Sequence, residues 1–483
     1  MRSLAWALAA SAFAVALAGC TVGPNYHRPS VPTAPAWRDA PPPNPPNGSW
    51  QHAHPAAAAL RGQWWRVYND PRLDRLEQKV AVSNQTLRAA MENYFAAREQ
   101  VRVARSQYFP TLAAGPSFQR PRNSYNQANA SKAFSNLQYN TFSLGGQAQW
   151  EPDIWGQVRR SVEAARATAQ ASAAELASVE LSLQAELASD YFSLRGLDLQ
   201  KQLLDDTVRS YQSYLHLTQI RFRGGVATES DVALAQTQLD ATRAQDIDVS
   251  VARAQYEHAI ATLIGVPPST FSLPPMPLAG LPPQIPAGIP SQLLQRRPDI
   301  SAAERQIDAA NAQIGITEAA WYPNLSLTGT GGLLSGRAGT WIQGPSEMWS
   351  LGASAMELLF DGGRRRAVTR QARDYYQEQT ANYRQVVLSA FQEVEDDLSA
   401  LRILRQEAAA DQQAVASARR SLALSTTSYK GGVVDYLQVL TAQTAQLSSE
   451  QAQAGVVTRR FIASVDLIRA LGGGWNTGKL PKM

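Results

Sequence analysis

The chain has 483 residues, with 45 Lys and Arg against 40 Asp and Glu, which gives a formal net charge of +5. No long basic tract carries this small excess, so the composition argues against nucleic-acid binding. Cys20 is the only cysteine, which excludes an intrachain disulfide and leaves packing and assembly to stabilise the fold. Beyond it, no apolar run reaches the roughly 18 residues that predict a membrane-spanning helix.

The N-terminus has the pattern of a secretory signal peptide over residues 1–19. Arg2 supplies the positive start, an apolar run follows over 4–17, and small residues lead to Cys20. The Leu-Ala-Gly-Cys ending is similar to a bacterial lipobox, whose cysteine carries diacylglycerol and palmitate. We therefore expect 20–63 to be a lipidated, Pro-rich leader, and Thr21 is similar to the second residue of lipoproteins sorted to the outer membrane. An ordinary signal peptide with a chance cysteine is the alternative.

The sequence contains one unit twice. Residues 222–226, with the sequence FRGGV, match residues 429–433, with the sequence YKGGV, and the same spacing aligns several other segments. Repetition over this length indicates a duplicated fold unit. We predict a first repeat over 64–265, a Pro-rich linker over 266–297, a second repeat over 298–474 and a C-terminal tail over 475–483.

Two segments in each repeat alternate between apolar and polar residues, as β-strands do. They cover about 111–120 and 137–151, then about 324–334 and 348–360. Strands of about ten residues with one apolar face are typical of transmembrane barrels, and a soluble hairpin with one buried face is the alternative. Pro116 indicates a sheet edge or a bulge. Four strands cannot close a barrel, which needs about eight, so the barrel interpretation predicts that several chains share one.

Long helices occupy most of the remaining sequence, so the predicted fold is mainly α. Residues 157–222 contain no proline and carry apolar or small residues at spacings of three and four, and 363–429 repeat this pattern. Such a helix would be about 100 Å long at ~1.5 Å per residue, and the sustained spacing indicates coiled-coil packing. We expect the shorter helices over 87–109 and 228–264 to lie end to end beside the long helix.

Short motifs are spread over nearly the whole mature sequence. They include CTVGPNY at 20–26, WWR at 64–66, RGGV at 223–226, RRPDI at 296–300 and NAQIG at 311–315. Together these motifs make the chain similar to the TolC/OprM-type outer-membrane efflux proteins (outer-membrane factors), particularly their NodT-like lipoprotein branch.

This resemblance implies a homotrimer with a shared twelve-stranded transmembrane barrel, a periplasmic α-helical coiled-coil tunnel and an equatorial belt. It implies the outer-membrane channel of a tripartite efflux pump, passively conducting drugs or other small toxic compounds. The implied partners are a periplasmic adaptor (membrane fusion protein), an inner-membrane pump, usually of the resistance-nodulation-division type, and outer-membrane lipid. The exit duct of a type I protein-secretion system and a periplasmic adaptor lipoprotein are the alternatives.

Paired glycines end both long helices and mark the bends expected at the periplasmic tips. Thr228 and Asp231 have the spacing of a capping box, and Asp435 is placed to cap the following helix. In the similar family this end is closed at rest by inward-leaning helices and acidic side chains, with capping alone as the alternative role for the aspartates. The predicted gate comprises Asp435, Tyr436, Leu437 and Asp231, and the predicted adaptor-docking tips comprise Gly224, Gly225, Val226, Gly431, Gly432 and Val433.

Two arginine clusters, at 159–160 and 364–366, follow the predicted strands directly. They suit either a charged ring at the inner membrane–water boundary or a solvated helix face. No catalytic constellation appears, and His52 and His54 lack a nearby carboxylate or thiol, so no metal site is predicted. We expect a protein that is not an enzyme, with no cofactor apart from its lipid, and a lipid-anchored periplasmic enzyme is the disfavoured alternative.

Overall fold

The computed structural model describes residues 21–38, 62–122, 138–286, 288 and 290–482. The predicted signal peptide, Cys20, His52 and His54 lie outside the described residues. Within them, no helix is both long enough and apolar enough to cross a membrane.

Each repeat contains a helix, two strands, a long helix and a shorter helix in the same order. Both long helices have 67 residues and both following helices have 35, which confirms the duplication. The long helices agree with their predicted bounds to within one residue at each end. In chain order the elements are α1 (Pro71–Ser83), α2 (Gln85–Ser106), β1 (Thr111–Gln119), β2 (Thr141–Trp150), α3 (Gln157–Arg223), α4 (Glu229–Leu263), α5 (Pro298–Ala319), β3 (Asn324–Ser335), β4 (Glu347–Met356), α6 (Arg364–Lys430) and α7 (Tyr436–Ala470).

Small side chains let α3 lie close to helices of both repeats. Alanines such as Ala169 and Ala188 are fully buried along it, and it packs against α2, α4, α5 and α7. At Gly196 an added Cβ atom would lie 2.2 Å from the Thr458 hydroxyl oxygen on α7. Only glycine permits so close a crossing, and this crossing joins the first repeat to the second.

The four strands form one antiparallel sheet in the order β1-β2-β3-β4, so β1 and β4 are its edges within the described chain. The register pairs Phe118 with Phe142 and Leu144 with Leu333. Because opposed residues share a face, the predicted apolar positions of all four strands lie on one side, whereas Leu334, Met348 and Met356 lie on the other. Pro116 lies in edge strand β1, whose register with β2 is continuous; of the two readings of this proline, the edge is therefore correct and the bulge is wrong.

The apolar face of the sheet is uncovered. Leu112 and Trp349 are each 78% exposed, and Leu351 is 80% exposed. On the opposite face, the hydroxyl oxygens of Ser117 and Ser143 lie 2.7 Å apart. A soluble hairpin would cover its apolar side, and an apolar face left open indicates contact with a membrane or a partner.

Two strands are shorter than predicted. β2 begins at Thr141 instead of about 137, and β4 ends at Met356 instead of about 360. Arg365 donates a hydrogen bond to the carbonyl oxygen of Leu358. Pairing stops at Met356 because its partner Asn324 is the first residue of β3 and follows Pro323.

The shorter helices meet end to end, as expected, at two equivalent joints. In the first joint, Asn84 Nδ2 donates to the carbonyl oxygen of Leu263, at 2.8 Å. In the second, Arg297 Nη1 donates to the carbonyl oxygen of Ala470, at 3.0 Å. Each side chain satisfies a carbonyl that the end of a helix leaves without an intrahelical partner. Arg297 is further held by Asp299 at 2.6 Å and Glu393 at 2.8 Å.

We predict that Arg297→Leu lowers the free energy of unfolding by about 2–3 kcal/mol, because it removes a charged donor from a buried carbonyl and two carboxylates. Arg296→Leu is the matched control, since Arg296 is partly exposed. Thermal unfolding of the detergent-solubilised protein, followed by circular dichroism, measures both. Equal effects of the two substitutions would contradict the role of Arg297 at the joint.

Candidate functional site

Each long helix ends in a Schellman motif built on the second glycine of its pair. Gly225 has φ +76° and Gly432 has φ +74°. The Val226 amide donates to the Arg221 carbonyl at 2.9 Å, and the Val433 amide donates to the Ser428 carbonyl at 3.0 Å. This six-to-one hydrogen bond, with a left-handed glycine before it, is the standard way of ending a helix.

The first glycine of each pair has an ordinary helical backbone conformation. Gly224 has φ −80° and Gly431 has φ −73°, both in the right-handed helical region. An added Cβ atom would meet only backbone oxygens at 3.5 Å and, at Gly431, the Val433 side chain at 3.8 Å. The turn therefore requires Gly225 and Gly432, whereas residues other than proline, which would lose the amide hydrogen bond, can occupy the position of Gly224 or Gly431.

Both predicted gate aspartates cap helices. Asp231 and Thr228 form a reciprocal capping box, with bonds of 2.9 and 3.1 Å between each side chain and the other residue's amide. Asp435 accepts a hydrogen bond from the Gln438 amide at 3.3 Å. The capping geometry is confirmed, and both carboxyl groups lie at the tip.

Tyr436 lies in the core of the tip, whereas Leu437 faces outward. Tyr436 is 1% exposed and Leu437 is 54% exposed. The Tyr436 hydroxyl donates to Gln443 Oε1 at 3.2 Å, and its ring packs edge-on against Tyr429 at 5.6 Å. Burial raises the pKa of the Tyr436 phenol, so it remains a neutral donor. In this structure Tyr436 joins the two helices of the hairpin.

Arg221 connects the tips of the two repeats. Its guanidinium lies over the Tyr429 ring, 4.6 Å from the centroid, and its Nη1 donates to the carbonyl oxygen of Lys430 at 3.1 Å. Arg221 belongs to α3 and Lys430 ends α6, so the contact holds the two bends side by side. Near it, Val226 and Val433 are 65% and 79% exposed, which leaves an apolar surface beside the uncovered glycine backbone.

The leader binds along the helices of both repeats. The Val22 amide donates to the Trp155 carbonyl at 3.1 Å, and Arg160, which is 3% exposed, donates to the carbonyls of Val22 and Gly23 at 3.2 and 3.0 Å. At Gly23 an added Cβ atom would lie 2.4 Å from Gly315 Cα, so the leader touches the backbone of α5.

Further along, the leader crosses to α6. Arg28 Nε donates to the Tyr383 hydroxyl at 3.1 Å, and the Arg38 amide donates to Glu395 Oε1 at 2.9 Å. Residues 21–38 are therefore a packed strap across both repeats. The proline content of the leader predicts extended backbone, but no local sequence signal identifies these contacts.

The arginine clusters after the strands divide into separate roles. Arg159 pairs with Asp153 at 3.1 Å, and Arg365 pairs with Asp361 at 2.9 Å. Both aspartates also accept amide hydrogen bonds from the first turn of the long helix. These two arginines stabilise helix starts and Arg160 binds the leader, whereas Arg364, Arg366 and Arg370 are exposed.

Aromatic side chains lie at both ends of the sheet. At one end the Phe118 and Phe142 rings are 4.8 Å apart. At the other, Trp155 stacks on Tyr322 at 4.7 Å and donates to the Pro323 carbonyl at 2.8 Å. Aromatic belts of this kind are typical of the two membrane–water interfaces.

We predict opposite outcomes for the two glycines of a pair. Gly225→Ala should lower the free energy of unfolding by about 1–2 kcal/mol, because a Cβ atom is strained in the left-handed region. Gly224→Ala should change it by less than about 0.5 kcal/mol, since its conformation suits any residue. Thermal unfolding of both variants checks this, and a larger loss at Gly224 would contradict the assignment of the turn.

Comparisons with known proteins agree with this geometry. A family model described as outer membrane efflux protein matches residues 76–266 and 289–473. The chain is 32% identical to the probable efflux pump outer membrane protein TtgC of Pseudomonas putida, over 97% of this chain and 95% of the relative. It is also 32% identical to the outer membrane protein OprJ of Pseudomonas aeruginosa, over 99% of this chain and 98% of the relative.

A solved structure of the outer-membrane channel OprN is similar to this chain, with a TM-score of 0.84 at 30% identity, over 94% of this chain and 100% of that one. The resemblance predicted from the sequence motifs is confirmed. The family model covers the greater part of both repeats, and the chain belongs to the outer membrane efflux protein family.

Proposed function

We propose that three copies of this chain form the exit duct of a tripartite efflux pump in the outer membrane. The observation that carries the proposal is the four-stranded sheet with its uncovered apolar face and open edges. In a bilayer every backbone polar group needs an internal partner. Edge strands β1 and β4 of neighbouring copies would supply those partners, and three copies would close a barrel of twelve strands.

The helices would continue this barrel as a tunnel through the periplasm. Each 67-residue helix would be about 100 Å long at ~1.5 Å per residue. Its start lies next to the strands, so the paired-glycine tips lie at the far end. The duct conducts passively and performs no catalysis under this proposal.

The tips would dock a periplasmic adaptor that connects to an inner-membrane pump of the resistance-nodulation-division type. Each chain has two bends with the same backbone geometry, so three chains would offer six similar docking points. Gly224 and Gly431 support this role because the turn itself does not need them. The matched relatives carry efflux names, which favours efflux over type I protein secretion and over an adaptor lipoprotein.

We predict that Gly224→Phe with Gly431→Phe abolishes drug resistance while preserving the trimer and its melting temperature. A bulky side chain would block close approach of an adaptor helix without straining the turn. Complementation of a strain that lacks its own exit duct, with adaptor cross-linking, measures this. Gly224→Ala with Gly431→Ala is the matched control and should retain resistance.

If the phenylalanine variant restores resistance as well as the wild-type protein does, the docking surface lies elsewhere. Failure of the wild-type protein to restore resistance with its cognate adaptor and pump would contradict the efflux function itself. Loss of the trimer would show instead that these positions belong to the assembly.

Lipidation of Cys20 is the second membrane attachment in this proposal. Cys20 immediately precedes the strap at Thr21, whose side chain lies against Gly156 between β2 and α3. Consecutive Cα atoms are about 3.8 Å apart, so a lipid on Cys20 would start beside the strands. The proposed barrel and the lipid would therefore enter the membrane at the same level.

We predict that Cys20→Ser abolishes incorporation of a labelled acyl chain, whereas Thr21→Ala retains it. Resistance should fall only in part, because the barrel is an independent anchor. Persistent labelling of the Cys20→Ser protein would show that the lipobox interpretation is wrong.

We predict that Asp435→Asn lowers the cation preference of the channel in planar bilayers. Three carboxylates around a threefold axis would favour cations, and asparagine caps a helix as well as aspartate does. The substitution therefore removes the charge and keeps the cap. Asp231→Asn is the matched comparison. Unchanged selectivity in Asp435→Asn would reduce Asp435 to a helix cap, and a shift in Asp231→Asn alone would move the gate to Asp231.

A further inference from the structure

A cleft of about 470 Å³ lies where the strands of the second repeat meet α5 and α6. Its walls come from the leader, the end of α5 with the turn after it, and the first turns of α6. We call it the cationic cleft. It is lined by Val22, Glu318, Trp321, Tyr322, Arg366, Thr369, Arg370 and Arg373.

The charge of the cationic cleft is positive. Arg366, Arg370 and Arg373 are spaced by four and three residues on α6, which places them on one helix face. Glu318 pairs with Arg373 at 2.8 Å and is the only carboxylate among the described lining residues. Arg366 and Arg370 are exposed, and their guanidinium groups form no hydrogen bond or ion pair within the described part of the chain. Two guanidinium groups therefore remain available.

The first repeat does not reproduce this face. The equivalent positions, 207 residues earlier, are Arg159, Glu163 and Arg166. Arg159 is bound by Asp153 at 3.1 Å, and Glu163 pairs with Arg160 at 2.7 Å beneath the leader. The duplicated fold therefore does not require the free arginines of α6.

The position of the cleft indicates what binds there. Trp321 and Tyr322 are separated from β3 only by Pro323, and they are 36% and 43% exposed. The Trp321 indole donates to the Thr369 hydroxyl at 3.0 Å, which fixes the ring beside the arginines. Exposed Trp and Tyr at the end of a membrane strand lie at the level of lipid headgroups. Val22, two residues after the proposed lipid on Cys20, lines the same cleft.

We propose that the cationic cleft binds the phosphate of an anionic phospholipid in the inner leaflet of the outer membrane. Arg366 and Arg370 would donate to the phosphate oxygens, because guanidinium groups match phosphate in geometry and charge. Trp321 and Tyr322 would pack against the glycerol and the first acyl carbons. The apolar and aromatic wall favours a lipid over free phosphate. This inference depends on the proposed membrane insertion of the sheet.

The test uses the lipidated, detergent-solubilised protein and counts bound molecules by native mass spectrometry. Dioctanoyl-phosphatidylglycerol, dioctanoyl-phosphatidylcholine and inorganic phosphate are titrated separately. Phosphatidylglycerol should bind in preference to phosphatidylcholine, and Arg366→Gln with Arg370→Gln should weaken it by about thirtyfold, given the usual contribution of two basic side chains at an anionic surface. Arg384→Gln with Arg420→Gln, at exposed positions further along α6, should leave binding unchanged.

Equal binding of both lipids would overturn the proposal. An equal loss of phosphatidylglycerol binding in the Arg384→Gln with Arg420→Gln variant would also overturn it. Strong binding of inorganic phosphate that displaces phosphatidylglycerol would identify a free-phosphate site instead. Insertion into lipid vesicles is measured in parallel. A wild-type protein that fails to insert contradicts the proposed function, whereas a protein that inserts without headgroup preference contradicts the cationic cleft alone.

Discussion

The edges of the four-stranded sheet impose the constraint on which the proposed assembly depends. One face of this sheet is apolar and uncovered, and its outer strands are β1 and β4. Backbone groups in lipid must be paired, and one chain cannot pair both edges without closing a barrel that is too small. Joining the edges of several chains satisfies the backbone and leaves the apolar faces toward lipid. Pro116, which lacks an amide donor, lies in β1, which is an edge strand only within the single chain.

The duplication determines how the rest of the chain supports that sheet. Asn84 and Arg297 perform the same task at the two joints, and Gly225 and Gly432 end the two long helices in the same way. The repeats differ in the side-chain contacts at the start of their long helices. The leader covers Arg160 in the first repeat, while the equivalent region of the second repeat leaves Arg366 and Arg370 open. The two tips have the same backbone geometry, which favours a docking surface that occurs twice in each chain. The side chains near the sheet differ between the repeats, and only the second repeat forms the cationic cleft proposed to bind lipid.

Much of this architecture follows from local sequence patterns. The bounds of α3 and α6 were predictable because their helical spacing is uninterrupted and their ends are marked by glycine. The sheet faces were predictable because alternation fixes which side chains share a face. The end of β4 was not, since apolar residues recur at 358–360, beyond Met356, and pairing ends there because β3 begins opposite it, at Asn324.

The candidate site was predictable in position but not in side-chain direction. The double glycines located both tips, and the spacing of Thr228 and Asp231 identified a cap. The Tyr436 side chain is buried in the core of the tip because it packs against Tyr429. No pattern in the short segment after Asp435 predicts this contact. Contacts between distant segments, such as Arg28 with Tyr383 and Arg221 with Lys430, have no local signal at all.

Disulfide cross-linking between β1 and β4 tests the shared barrel most directly. Cys20 is the only native cysteine and its thiol is blocked in the lipidated form proposed here, so introduced cysteines can be followed without interference. A cysteine at Ser117 in β1 is combined, in separate variants, with one at each position of β4 on the same face, and membranes are oxidised. If three chains share one barrel, at least one variant forms covalent species that end at three chains. Monomers in every variant, or species that extend beyond three chains, would contradict the shared barrel.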